Sequence, residues 1–127
     1  MDKLDAIFEK QKALDAFISD ARHLENGAEN GISSEWMQRK AIALLVELTE
    51  VLNEVNYKWW KNPKEIDANA VKEELVDVLH FFVSMCLSAG LTADELFARY
   101  AEKNKENVAR QNGTSAKKGY AISDENK

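Results

Sequence analysis

Cysteine, proline and glycine are scarce in this chain of 127 residues, at one, one and five. A lone cysteine, Cys86, cannot form an internal disulfide and sits in an apolar run, so nothing supports export to an oxidising compartment and a cytoplasmic location is expected. The few Gly and Pro residues all fall between segments of helical periodicity, which predicts an all-α protein. Basic charge is also short, with 17 Lys and Arg against 22 Asp and Glu, a formal charge of −5 and a pI near 5.1. Phosphate backbones are held by clustered Lys and Arg, so no general nucleic-acid binding is expected. The longest apolar stretch, around Phe81 to Leu91, is too short to span a bilayer, and the first ten residues carry charges where a signal peptide needs an apolar core. No membrane or targeting segment is expected. With domains typically running to ~100–150 residues, there is room for one.

What is present is helical patterning. Leu4, Ile7, Phe8, Leu14, Phe17, Ile18, Ala21 and Leu24 recur at three- and four-residue spacing, predicting a first helix over about 3–25 with Asn26-Gly27 as its stop. Asn30-Gly31 closes a loop before Ser33 and Ser34, either of which can cap a second helix over about 34–58. Its apolar face is Met37, Ala41, Leu44, Leu45, Leu48, Val51, Leu52 and Val55, and Trp59-Trp60-Lys61-Asn62-Pro63 forms the exit. A third helix, capped by Asp67 or Asn69, continues to Ala89 and is apolar on nearly all sides after His80, so it is expected to be central, covered by neighbours or by a partner chain. Thr92-x-x-Glu95 reads as a capping box opening a fourth helix that ends at Asn112-Gly113. The expectation is a four- to five-helix bundle over residues 1–113, with a polar, mobile tail over 114–127.

Two acidic pairs depart from ordinary amphipathicity. Glu47 and Glu50, followed by Glu54, lie beside the apolar stripe of the second helix rather than opposite it. Glu74 and Asp77 lead into the most apolar segment of the chain, with His80 one turn further on. Either pair alone reads as a solvated edge. Residues at i and i+3 share a helix face, however, so two such pairs on adjacent helices can converge four carboxylates on one point, and too few basic residues are placed to neutralise them. Oxygen ligands without a thiolate cluster suit a hard cation, Mg²⁺ or Mn²⁺. A di-iron bundle would want Glu-x-x-His from each of two helices, and only Asp77-x-x-His80 approximates it.

A third feature reverses the sign: Lys103, Asn104, Asn107, Arg110 and Gln111, then Lys117, Lys118 and Tyr120. Lys103, Asn107 and Arg110 fall on one helix face and can clamp phosphate oxygens, although a solvated basic helix end has the same composition. Trp59 and Trp60 can pack at a helix end or close over a nucleobase. Gln11, on an otherwise apolar face, can bond a base edge or a backbone group. His23 reads as a surface or C-capping residue.

Taken together, Glu47-x-x-Glu50, Tyr57-Lys58-Trp59-Trp60-Lys61, Glu74-x-x-Asp77-x-x-His80 and Lys103-Asn104-x-x-Asn107-x-x-Arg110 resemble the dimeric all-α dUTPases, which belong with the MazG-like nucleoside triphosphate pyrophosphatases. The resemblance covers roughly residues 8–120. It implies Mg²⁺ ligands at Glu47, Glu50, Glu74 and Asp77, with Glu47 or Glu50 as the base that deprotonates water. It also implies base-side contacts from Gln11, Trp59 and His80, and phosphate contacts from Lys103, Asn104, Asn107, Arg110 and Tyr120; Lys58 and Trp60 are further candidate substrate-binding residues. Asp15 stands where the family has an Asn that helps read uracil, and the segment before Gly119 is altered, which weakens assignment of Lys117 and Lys118.

The activity implied is hydrolysis of dUTP, and of dUDP if the diphosphate is accepted, with dUTP giving dUMP and pyrophosphate. Alternatives are a broader MazG-like or dCTP pyrophosphohydrolase, and a non-catalytic helical interaction protein. The apolar third helix adds the expectation of a homodimer.

Overall fold

The computed structural model describes residues 1–24 and 31–122. Four helices run through it: α1 (Lys3–Ala21), α2 (Ser34–Glu54), α3 (Ala68–Ser88) and α4 (Ala93–Asn112), with no strand among the described residues. The chain forms two compact units, residues 1–92 and 93–127. In the first unit α3 packs along α2 and also against α1, so it is the central helix that its composition predicts. No single helix among the described residues is long and apolar enough to cross a membrane.

The helix starts follow the capping signals. Asp2 and Asp5 form a reciprocal capping box on α1, the Ser33 hydroxyl accepts from the Trp36 amide, and Asp67 accepts from the Asn69 and Ala70 amides. The C-termini are less regular. α1 stops at Ala21, not near residue 25, because His23 takes a left-handed conformation (φ 54°) and the Leu24 and His23 amides turn back to the Ser19 and Asp20 carbonyls. Arg22 is the C-cap and His23 the left-handed residue that follows it, while Asn26-Gly27 lies outside the described residues.

α2 likewise ends at Glu54, four residues short of the expected Lys58. Asn56 is left-handed (φ 58°), and its amide both donates to the Lys64 carbonyl (2.7 Å) and accepts from the Lys64 amide (2.9 Å), closing the loop onto the helix end. Trp59 and Trp60 follow that turn. Neither packs in a core: they are 85% and 61% exposed and meet edge to face, with centroids 4.7 Å apart.

In the second unit the described part of the tail, residues 114–122, turns back along the end of α4. Gly113 ends α4 at φ 77°, and a Cβ there would meet the buried Ala121 side chain at 3.4 Å, so the chain folds back over the helix end.

Burial in the first unit is thin. Among its described residues Phe8, Val83 and Cys86 are the fully buried apolar side chains, and α2 buries none, contrary to the expectation for its apolar face. Ile42, Leu45, Val46 and Leu52 on α2, and Leu75, Leu79 and Phe82 on α3, are substantially exposed. Cys86 is among the buried residues, and burial pushes its thiol upward, as for an inert core cysteine.

Candidate functional site

The packing of α2 on α3 brings the two acidic motifs together. Carboxylate oxygens of Glu47, Glu74 and Asp77 lie within 4.8 Å of one another. Burial first, and then the neighbouring charges of Asp77, Glu50, Glu47 and Glu54, push the Glu74 carboxyl above its ordinary range. Glu50 is thus an electrostatic neighbour at the edge of the group. Among the described residues no Lys or Arg forms an ion pair with any of the four; the ion pairs there are Arg39–Glu35, Arg99–Glu95 and Arg110–Glu106, each within its own helix. Three or four oxygen donors with their mutual repulsion unrelieved by protein cations fit a hard divalent ion.

One turn beyond Asp77, a chain of polar side chains joins α3 to α1. His80 Nδ1 lies 2.7 Å from Gln11 Oε1, Gln11 Nε2 donates to Asp15 Oδ1 at 2.9 Å, and the Ser84 hydroxyl donates to Asp15 Oδ2 at 2.8 Å. Gln11 and Ser84 are buried. Helical spacing of four explains the arrangement, since Gln11 and Asp15 share one face of α1 while His80 and Ser84 share one face of α3. Ser84 carries no signal of its own in the sequence. Only the packing of α1 on α3 reveals it.

Asp15 and Ser84 also line a cavity of about 680 Å³ in the first unit, together with Trp36, Lys40, Phe81 and Leu87. The Lys40 ammonium reaches the Ser84 carbonyl and the Ser88 hydroxyl, which ties α2 to the end of α3. Lys58, beyond α2, places its ammonium over the Tyr57 ring at 5.7 Å.

The remaining expected residues belong to the second unit. Lys103, Asn104 and Asn107 are exposed along α4. Arg110 is held more firmly: Nε donates to Glu106 at 3.1 Å, and the guanidinium lies 5.3 Å over the Tyr120 ring. Ser115 donates to the same Glu106 oxygen. Glu106 and Ser115 carry no signal in the sequence, because their pairing depends on the tail folding back.

These bonds, Ser115 first and then Arg110, hold the Glu106 carboxyl below its ordinary range. A depressed carboxylate stabilises the folded form above its unfolded value, here near 4.5, and loses that contribution as pH falls through the lower folded value. The Ser115–Tyr120 segment is therefore expected to loosen, while the helices persist, as pH falls below about 4.5. Amide and Tyr120 ring resonances that stay unchanged over that range would contradict it.

Comparison with known proteins bears on which chemistry this is. A family model described as dUTPase matches residues 3–92, most of the chain and all of the first unit's helices. The chain is 27% identical over 138 aligned positions to the dCTP pyrophosphatase of Enterobacteria phage T4, an alignment that takes in 87% of this chain and 81% of that protein. Over 45 positions it is 44% identical to the dCTP pyrophosphatase of Enterobacteria phage LZ5, spanning 35% of this chain and 26% of that one. No solved structure matches it significantly. A family match of that extent decides between the catalytic and the non-catalytic readings of the bundle: the chain belongs to the all-α dUTPase family and is a nucleoside triphosphate pyrophosphohydrolase.

Proposed function

We propose that the chain hydrolyses pyrimidine deoxynucleoside triphosphates, dUTP among them, to the monophosphate and pyrophosphate in a Mg²⁺-dependent reaction. The observation that carries this reading is the facing of Glu47 on α2 by Glu74 and Asp77 on α3. With Glu50 these residues would hold the ion, and Mn²⁺ is the natural substitute. The chemistry that such an ion supplies when bound is neutralisation of phosphate oxygens and acidification of a water.

The protein's own groups do the rest. Glu47 or Glu50 takes the proton from the attacking water as its oxygen bonds to the α-phosphorus. The bond from the α-phosphorus to the bridging oxygen breaks, and pyrophosphate leaves. Lys103, Asn104, Asn107, Arg110 and Tyr120 are suited to the outer phosphates, and Arg110 is pre-oriented by Glu106. Trp59 and Trp60 offer exposed aromatic faces to a base.

A second substrate, dCTP, is favoured by two specific observations. Both phage relatives are named for it, and Asp15 supplies a carboxylate where an Asn would suit uracil. The working assembly we infer is a cytoplasmic homodimer, supported by the apolar residues that one chain leaves uncovered on α2 and α3. The test is pyrophosphate release from dUTP, dCTP, dTTP and dATP with Mg²⁺. Release from the two pyrimidine substrates dUTP and dCTP, abolished by excess chelator, is expected. No release from any of them would overturn the reading.

A further inference from the structure

We propose that Ser115, acting through Glu106, is a positioning residue for the phosphate end of the substrate: the two hold Arg110 by Nε, so that its terminal nitrogens form a fixed fork for the outer phosphates. This rests on the pyrophosphohydrolase reading above and deepens it. Arg110 is the residue that touches phosphate, and the tail segment is what aims it.

Three arginines among the described residues pair with a glutamate one turn earlier on their own helix, and they do so differently. Arg39 spends Nη2 on Glu35 at 2.6 Å, and Arg99 spends both Nε (3.0 Å) and Nη2 (2.9 Å) on Glu95. With side chains 56% and 69% exposed, these are ordinary solvated pairs. Arg110 gives Glu106 its Nε alone, at 3.1 Å, and its side chain is 23% exposed. Its terminal nitrogens bond to no described residue. Glu106 at Nε and the Tyr120 ring 5.3 Å from the guanidinium carbon fix where the group sits. The edge left over carries the parallel N–H bonds that match two phosphate oxygens.

Ser115 sets this grip apart from the other two. Its hydroxyl donates to Oε1 of Glu106, the same oxygen that accepts from Arg110, and its own oxygen accepts from the Lys117 amide at 3.1 Å. A carboxylate only accepts, so the order is fixed: the Lys117 amide donates to Ser115, and Ser115 to Glu106. Past Gly113 (φ 77°) the Thr114 amide turns back to the Ala109 carbonyl at 2.9 Å, which brings Ser115 to a glutamate nine residues earlier. A carboxylate tied by a second donor does not swing with its arginine. The rotamer freedom that a long Arg side chain would lose on meeting phosphate is therefore lost in advance.

The experiment measures kcat and KM of the Mg²⁺-loaded protein for dUTP and dCTP, and inhibition by inorganic pyrophosphate. The proteins are the wild type, Ser115→Ala, Ser115→Thr, Arg110→Ala and the double variant Ser115→Ala/Arg110→Ala. Ser115→Ala is expected to raise KM about tenfold for both substrates alike and to weaken pyrophosphate inhibition in parallel, with kcat changed by less than about twofold. Ser115→Thr keeps the hydroxyl and should restore the wild-type values. In the Arg110→Ala background the loss of Ser115 should cost nothing more, because it acts only through that arginine. Glu106→Ala gives a second route from within α4: it should raise KM at least as far, and adding Ser115→Ala should raise it no further. An unchanged KM in Ser115→Ala, no rescue by threonine, or an equal loss with and without Arg110 would overturn the positioning role while leaving the pyrophosphohydrolase reading standing. No pyrophosphate from either substrate with the wild type would overturn both.

Discussion

Asp77→Asn is expected to reduce turnover by at least about a hundredfold while the protein stays folded. The substitution is nearly isosteric and removes one charge from a group whose oxygens lie within 4.8 Å of one another. After burial, Asp77 is the largest influence pushing the neighbouring Glu74 carboxyl upward, so the carboxylates oppose one another when no cation is bound. Neutralising it should leave the melting temperature in chelator equal to that of the wild type or above it. The same change takes away a hard oxygen charge that a divalent ion needs. Loss of activity with unchanged or increased stability is a signature that a purely structural residue would not give. Melting in EDTA and pyrophosphate release in Mg²⁺, measured on both proteins, read the two effects separately. Full activity in the variant, or in the wild type under excess chelator, would remove the metal from the account.

Leu45→Glu is expected to have the largest effect on assembly. In the single chain Leu45 is 59% exposed on α2, near the similarly exposed Ile42 and Val46. Exposed positions ordinarily tolerate substitution within about 0.5 kcal/mol, so a monomer would hardly register the change. If this face is covered by a second copy, the new carboxylate is buried without a partner, at a cost of several kcal/mol. The expected result is a monomer mass by light scattering and a melting temperature lowered by about 10 °C or more. A wild type that is already monomeric at all concentrations, or a variant matching it in mass and melting temperature, would contradict the homodimer.

The helices were legible because their signals are local. Asp67 caps α3 and Gly90 follows its end, and α4 begins directly after Thr92, as sequence spacing alone suggests. The facing of Glu47 by Glu74 and Asp77 was legible for a related reason, since an i,i+3 pair beside an apolar stripe points toward whatever helix packs there.

Long-range bonds hid the rest. α2 stops early because Asn56 bonds to Lys64, eight residues on, and nothing in the 3.6-residue period registers that. The Asp15–Ser84 bond joins positions 69 residues apart, so each half looks like an ordinary polar residue in its own helix. The tail read as mobile because Ser115 and Ala121 acquire partners only when the chain turns back over α4.

The reaction proposed is attack of water on the α-phosphorus of a pyrimidine deoxynucleoside triphosphate under the control of the α2–α3 carboxylates. The most direct measurement is hydrolysis of dCTP and of dUTP by the Mg²⁺-loaded enzyme in ¹⁸O-water, with the products weighed by mass spectrometry. The account predicts equimolar monophosphate and pyrophosphate, with the heavy oxygen in the monophosphate alone. Label in the pyrophosphate would place the attack on the β-phosphorus, and release of orthophosphate with a nucleoside diphosphate would place the cleavage at the wrong bond; either result would contradict the claim.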